Sequence, residues 1–224
     1  MNKKEKMKKA DTIFQFISSE SEEMTHLQSI EKALDAGVKW IQLRVKNKSE
    51  DEVISIAEKV LNLCKKNDAK LIINDYPHLV NRVGADGVHL GKKDMNLTAA
   101  REIVGTDKTI GGTANTMEDV ISLAQFGVDY IGLGPFKFTD TKKELSPILG
   151  AEGIREIIET ARKSNIQIPI VAIGGIQSED IKTAFDTGVD GIAVSSAIIN
   201  NENPEKFVQK AIDYKKNLKT TALC

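Results

Sequence analysis

The chain has 224 residues, and its 31 Lys and Arg nearly balance 32 Asp and Glu, for a formal net charge of −1. That balance argues against a general nucleic-acid binder, which carries a basic excess, and a composition 41% hydrophobic and 28% charged excludes a disordered chain. No apolar run approaches the roughly 18–20 residues that cross a bilayer, and two cysteines, Cys64 and Cys224, make neither a disulfide framework nor a Cys-based zinc site, which fits a reducing cytoplasm.

Residues 1–12 read as a basic, disordered leader. Lys3, Lys4, Lys6, Lys8 and Lys9 crowd its first half, and the apolar stretch behind it, Ile13 to Ile17, is too short for a signal segment. From there short aliphatic runs alternate with helical patterns. The expected strands are Ile13–Ser18, Trp40–Val45, Lys70–Asn74, Gly87–Leu90, Thr109–Thr113, Tyr130–Leu133, Ile168–Ile173 and Gly191–Val194. Between them, Leu27, Ile30 and Leu34 fall on one helix face, and Cys64 joins an apolar stripe with Val53, Ile56, Ala57, Val60 and Leu61. Ile154, Ile157, Ile158 and Ala161 repeat at helical spacing, and Ser178 with Glu179 and Asp180 supplies a capping residue and first-turn acids for another helix. The stretch from Lys215 onward looks solvated, and 219–224 reads as a frayed tail with Cys224 an exposed thiol.

A four-fold internal repeat organises the series. Gly37, Gly84, Gly127 and Gly188 each precede an apolar residue, a polar residue and a strand. Glycine can end a helix in a left-handed turn before the chain re-enters the sheet. The first two spacings suit two βα units each, and the third is longer because Gly134 to Gly150 adds a loop. The expectation is α/β: a single-domain (β/α)8 TIM barrel over residues 13–218. An open doubly wound sheet is the alternative, but no Gly-rich dinucleotide fingerprint follows the first strand.

Barrels of this class do their chemistry at the C-terminal ends of the strands. The second strand ends in Gln42 to Lys46, the third in Asn74-Asp75, and the fourth runs into Gly91-Lys92-Lys93-Asp94. Arg44 and Lys46 suit anionic oxygens, and Asp75 and Asp94 suit a hard cation; magnesium prefers one or two carboxylates with phosphate oxygens and water. Together these residues describe a diphosphate clamp, the alternative for each Asp alone being a helix cap or a surface charge. Thr113 ends the fifth strand. The long loop after the sixth carries Thr139, Asp140, Thr141 and Lys142 and could close over a substrate. Gly174-Gly175 and Ser195-Ser196 follow the seventh and eighth strands, where barrels often hold a phosphate; a plain strand-to-helix turn explains either motif alone. His26 and His78 are expected at the surface and His89 in the core. No Ser-His-Asp pattern or HExxH helix is present in the sequence.

On these residues the chain resembles the thiamine phosphate synthase family. Its strongest matches are Gln42 to Lys46, Ile73-Asn74-Asp75, Asp86 to Gly91 with Asp94, Gly132 to Lys142, and Ala172 to Ile176, in order along nearly the whole chain after the leader. The resemblance implies condensation of 4-amino-2-methyl-5-hydroxymethylpyrimidine diphosphate with (carboxy)thiazole phosphate, giving thiamine phosphate and diphosphate. It implies one Mg2+ per subunit on Asp75 and Asp94. Gln42, Leu43, Arg44, Val45, Lys46, Asn74 and Thr113 would serve the pyrimidine diphosphate. Thr139, Asp140, Thr141, Lys142, Gly175, Ser195 and Ser196 would serve the thiazole phosphate, with Arg44, Lys46, Lys142 and Thr113 acting in catalysis. The implied partners are small molecules in the cytoplasm, with no nucleic acid and no membrane; the oligomeric state stays open, a homo-oligomer included. Val45 stands where the family commonly has glutamate, Thr113 where it usually has serine, and the first strand is atypical. A thiazole-isomerising relative of this family uses a histidine after the sixth strand, where this chain has Pro135. The same scaffold could also carry a sugar-phosphate isomerase or a non-catalytic ligand sensor.

Overall fold

The computed structural model describes residues 13–138 and 147–221. Its order is β1 (Phe14–Ile17), α1 (His26–Asp35), β2 (Trp40–Leu43), α2 (Glu50–Lys66), β3 (Lys70–Asn74), α3 (Pro77–Val83), β4 (Gly87–Leu90), α4 (Leu97–Val104) and β5 (Thr109–Ala114). There follow α5 (Met117–Phe126), β6 (Tyr130–Leu133), α6 (Gly150–Lys163), β7 (Ile170–Ile173), α7 (Ile181–Phe185), β8 (Gly191–Val194), α8 (Ser196–Ile199) and α9 (Pro204–Thr221). Among the described residues the eight strands are all parallel and close into a barrel, β1 pairing with both β2 and β8.

The helices start where the sequence supplies caps. Thr25, Ser49 and Thr116 each accept from the N3 backbone of α1, α2 and α5, while Gln28, Glu52 and Asp119 reach back to complete capping boxes. Such a cap stabilises by about 1 kcal/mol. The helix expected to open at Ser178 starts differently: Ser178–Asp180 is a 3-10 turn ahead of α7, and Asp180 accepts from the Gln177 N–H at 3.0 Å. Ser178 lies inside that turn and does not cap it.

The repeat glycines have a backbone reason. Gly37, Gly84, Gly127 and Gly188 all have φ between +72° and +92°, where a side chain is strained. In three of the four repeats the polar residue two positions later is an aspartate, and it has one too. Asp86, Asp129 and Asp190 each accept a backbone N–H from the start of the neighbouring strand, at Leu71, Ile110 and Ile170, all at 2.9 Å. Arg101 and Arg162 then pair with Asp129 at 2.9 Å and Asp190 at 2.7 Å. The sequence repeat is thus a set of ties along the N-terminal rim, the face that stabilises such barrels.

Alternation along each strand splits the apolar residues into two cores. The larger lies between sheet and helices and includes Ile41, Leu43 and Val45; Cys64 joins it, as its stripe implies. The smaller fills the barrel with Trp40, Ile72, Tyr130, Val171 and Ala193. Trp40 and Tyr130 meet edge to face, ring centroids 4.8 Å apart. At the C-terminal end, Lys215 departs from the solvated reading. It is buried, its Nζ donates to the Val189 carbonyl, and it lies over the Phe185 ring. Helix α9 continues to Thr221, into the segment expected to fray. Residues 1–12 and Cys224 lie outside the described residues.

Candidate active site at the strand C-termini

The C-terminal mouth of the barrel holds a cavity of about 500 Å3. Gln42, Arg44, Lys46, Asn74, Asp75 and Asp94 line one side, and Thr113 lies on its wall. Gly174, Gly175, Ser195 and Ser196 line the other. These residues come from the exits of β2, β3, β4, β5, β7 and β8.

Leu43 and Val45, expected on the substrate side, do not reach it. Each is 1% exposed, in the core outside the sheet. The chain stays extended past β2, so side chains alternate: Gln42, Arg44 and Lys46 face the mouth and Leu43 and Val45 face the helices. Thr139, Asp140, Thr141 and Lys142 lie outside the described residues.

At the β3 exit the backbone turns sharply. Asp75 has φ +72°, a left-handed conformation that Asp and Asn tolerate better than most residues, and its N–H donates to the His89 carbonyl at 3.0 Å. Its Oδ2 pairs with Lys46 Nζ. Asp94 Oδ2 accepts the Gly91 N–H at 2.6 Å, within the loop that follows β4. Burial, then the adjoining Asp75 carboxyl, pushes the Asp94 carboxyl above the usual range, while the Gly91 N–H and Lys46 act against this. Two carboxylates held this close repel unless a cation or a proton lies between them. No cluster of three His, Cys, Asp or Glu is found among the described residues.

The opposite edge is set by packing. Gly174 and Gly175 follow β7 with φ +97° and +67°. A Cβ on Gly174 would press on Pro135, and one on Gly175 would meet the Phe138 carbonyl and Lys137. Glycine here lets the root of the long β6–α6 loop lie flat on the β7 exit, where Lys137 N donates to Gly174 O at 2.9 Å and Lys137 Nζ pairs with Asp180 at 2.5 Å. Ser195 Oγ donates to Ser19 Oγ at 3.2 Å.

The histidines divide otherwise than expected. His78 is exposed and pairs with Glu50 at 2.9 Å, as expected. His26, expected at the surface, is 5% exposed. Its Nδ1 meets Ser18 Oγ at 3.0 Å, and that oxygen accepts the Arg44 backbone N–H at 3.0 Å. Position 26 opens α1 on its buried face, alongside Ser29 and Ile30, which a reading of the apolar stripe alone leaves out. Burial holds its pKa below the ordinary histidine value. His89 is buried and hydrogen-bonded as expected, but it also lines the cavity, as do Lys92, Lys93 and Asn115. Lys92 pairs with Asp119, and Asn115 Nδ2 donates to the Gly134 carbonyl at 2.5 Å. All three were legible at strand exits, the lysines beside Asp94 after the fourth strand and Asn115 close behind Thr113 after the fifth.

A closed parallel barrel with cations, a carboxylate pair and a glycine-serine edge at its strand C-termini defines the class, a (β/α)8-barrel enzyme. The family model described as thiamine monophosphate synthase matches residues 14–198, and the chain belongs to that family. A thiamine-phosphate synthase from Bacteroides thetaiotaomicron is 45% identical over 92% of this chain and 98% of its own length. One from Phocaeicola vulgatus is 49% identical over 85% of this chain and 91% of its own. Among solved structures, a thiamine phosphate pyrophosphorylase from Pyrococcus furiosus superposes with a TM-score of 0.78 at 31% identity, covering 92% of this chain and 97% of that one. No helix among the described residues is long and apolar enough to cross a membrane.

Proposed function

We propose that this chain joins 4-amino-2-methyl-5-hydroxymethylpyrimidine diphosphate to (carboxy)thiazole phosphate, releasing diphosphate and thiamine phosphate. The observation that carries the reading is the meeting of Arg44, Lys46, Asp75 and Asp94 on one wall of a single cavity, with Gly175, Ser195 and Ser196 across from them. One wall suits a diphosphate and the other a monophosphate, and a family relationship at 45–49% identity supports both assignments.

Asp75 and Asp94 fit a magnesium ion. They are two hard oxygen donors in contact, one held partly by a backbone N–H, and their mutual repulsion calls for a cation. Bound there with the diphosphate, such an ion supplies neutralisation of the charge that builds on the leaving group. Arg44 and Lys46 add fixed positive charge to the same oxygens. Gln42, Asn74 and Thr113 offer amide and hydroxyl groups to the pyrimidine ring. Leu43 and Val45 can take part only through their backbone.

On the far wall, Gly175, Ser195 and Ser196 would receive the thiazole phosphate, joined by Thr139, Asp140 and Thr141 from the β6–α6 loop. Lys142 would bring a cation to the leaving diphosphate. The pyrimidine amino group can donate electrons toward its methylene carbon, so the bond to diphosphate can lengthen before the thiazole nitrogen attacks. The protein then needs no nucleophile of its own, and its contribution is positioning and electrostatics. Residues 13–218 would form the catalytic domain, working in the cytoplasm, with 1–12 as a basic leader outside it.

The test is to mix both substrates with magnesium and the purified chain and analyse the products by mass spectrometry. Thiamine phosphate and diphosphate in equal amounts are expected. Tight binding of both substrates with no product would indicate a ligand sensor, and magnesium-independent turnover of a sugar phosphate a different enzyme.

A further inference from the structure

Beneath the cavity, a row of buried polar side chains runs through the barrel interior, where apolar residues would pack with less risk. Gln42 Nε2 donates to Gln15 Oε1 at 3.3 Å, and Gln15 Nε2 donates to Tyr130 Oη at 3.4 Å. Tyr130 Oη lies 2.9 Å from His89 Nδ1, and His89 Nε2 lies 2.9 Å from Thr113 Oγ1. Gln15 and Tyr130 are each 1% exposed. Only the ends of the row, Gln42 and the His89–Thr113 pair, line the cavity.

The sheet is built to let this row form. His89 is on β4 and Tyr130 on β6, with β5 between them. The residue in register with both is Gly111, and a Cβ there would collide with the Tyr130 ring. A Cβ on Gly132, in register with Thr113, would press on His89 Cε1 at 3.3 Å. Two missing side chains leave the space in which the histidine and the tyrosine meet.

We infer that Tyr130 and Gln15 are positioning residues, which fix His89 as the Nε2–H tautomer and so turn the Thr113 hydroxyl into a hydrogen-bond donor facing the cavity. The direction follows from counting protons. Gln15 turns its Oε1 to Gln42 and its Nε2 to Tyr130, so Tyr130 Oη accepts. Burial keeps the phenol protonated, above its ordinary range. Its single proton then needs an acceptor, and Nδ1 is the one at hand. An Nδ1–H imidazole would leave that proton facing donors alone, a costly arrangement at a buried site. With Nδ1 accepting, the neutral ring carries its proton on Nε2 and donates to Thr113 Oγ1. The threonine's own proton is then available to a lone pair above it.

A ring nitrogen of an aminopyrimidine is such a lone pair. That last assignment rests on the function proposed above; the relay does not. The atypical first strand acquires a reason, because Gln15 donates into the row at Tyr130.

The experiment reads the tautomer directly. With 15N-labelled histidine, three imidazoles are visible and His89 is assigned by loss of its signals in His89→Gln. The resting protein should show His89 as Nε2–H, and an Nδ1–H ring would overturn the relay whatever the enzyme's substrates. In Tyr130→Phe, which keeps the ring that fills the space over Gly111, the Nε2–H preference should be lost. The same variant should lower kcat/KM for the pyrimidine diphosphate about tenfold, the scale of one hydrogen bond, and leave KM for the thiazole phosphate unchanged. A KM raised equally for both substrates, or an unaltered tautomer, would reduce Tyr130 to a packing residue. If Tyr130→Phe does not fold, the wild-type tautomer alone decides. Thr113→Val separates the two layers, with Thr113→Ser as the rescue that restores the hydroxyl. An unchanged kcat/KM in Thr113→Val beside an Nε2–H His89 upholds the relay and removes the pyrimidine from that hydroxyl.

Discussion

Lys46 and Asp75 form an ion pair on the rim of the barrel mouth, linking the exit of β2 to that of its neighbour β3. The left-handed turn at Asp75 aims its carboxylate along the rim toward that lysine and toward Asp94. Asn tolerates the same backbone conformation, so Asp75→Asn and Asp94→Asn remove charge with little disturbance of the fold. Each should lower kcat about 100-fold, the scale of losing one electrostatic contact to a developing charge. Each should also raise the magnesium concentration for half-maximal rate. A magnesium titration of diphosphate release checks both effects, and unchanged curves would remove the metal from these residues.

Lys142 is assigned to the leaving group and not to the resting substrate. Lys142→Ala should therefore reduce kcat far more than it weakens thiazole phosphate binding. Steady-state kinetics beside a direct binding titration separates the two, and a pure binding defect would contradict the assignment.

Asp190 ties Arg162 and the Ile170 N–H at the opposite end of the barrel. Asp190→Asn should destabilise the fold by about 1–3 kcal/mol through a weakened, partly buried hydrogen-bonded pair, with kcat/KM within twofold of the parent, about 0.4 kcal/mol. Urea unfolding and the turnover assay together check it. A stability change with full activity is the signature of the stabilising face of a barrel.

Cys64 is buried on α2, and burial pushes its thiol up to about 12. At pH 8 that leaves on the order of one thiolate in ten thousand. In a Cys224→Ser background, a thiol reagent should leave the native protein unmodified and react fully after unfolding. The shift also sets a pH dependence. Above about pH 9 the unfolded thiol ionises and the folded one does not, so the unfolded state binds fewer protons and stability falls as pH rises. The loss approaches about 1.4 kcal/mol per pH unit until the folded thiol itself ionises. Urea titrations at pH 8 and pH 10, compared with Cys64→Ala, measure it.

Much of this architecture is written locally. The strands follow the repeat glycines, whose positive φ and strand-tying aspartates are short-range necessities. The rim residues are equally local, because a barrel sends the end of every strand to the same mouth. Two kinds of feature were not legible. Leu43 and Val45 sit inside a motif that reads as one unit, but alternation sends them away from the cavity. The row from Gln15 to Tyr130 to His89 joins residues that are far apart in sequence and meet only because a glycine lies between their strands. His26 lies on the buried face of its helix, and its partners Ser18 and, through it, the Arg44 backbone at the β2 exit come from other elements.

The most direct measurement is a crystal structure of the chain with magnesium, the pyrimidine diphosphate and an unreactive thiazole phosphate analogue. The account predicts one metal ion touching Asp75 and Asp94, the diphosphate against Arg44 and Lys46, and the second phosphate on Gly175, Ser195 and Ser196. Ligands seated elsewhere, or a diphosphate held with no ion between it and the two aspartates, would contradict it.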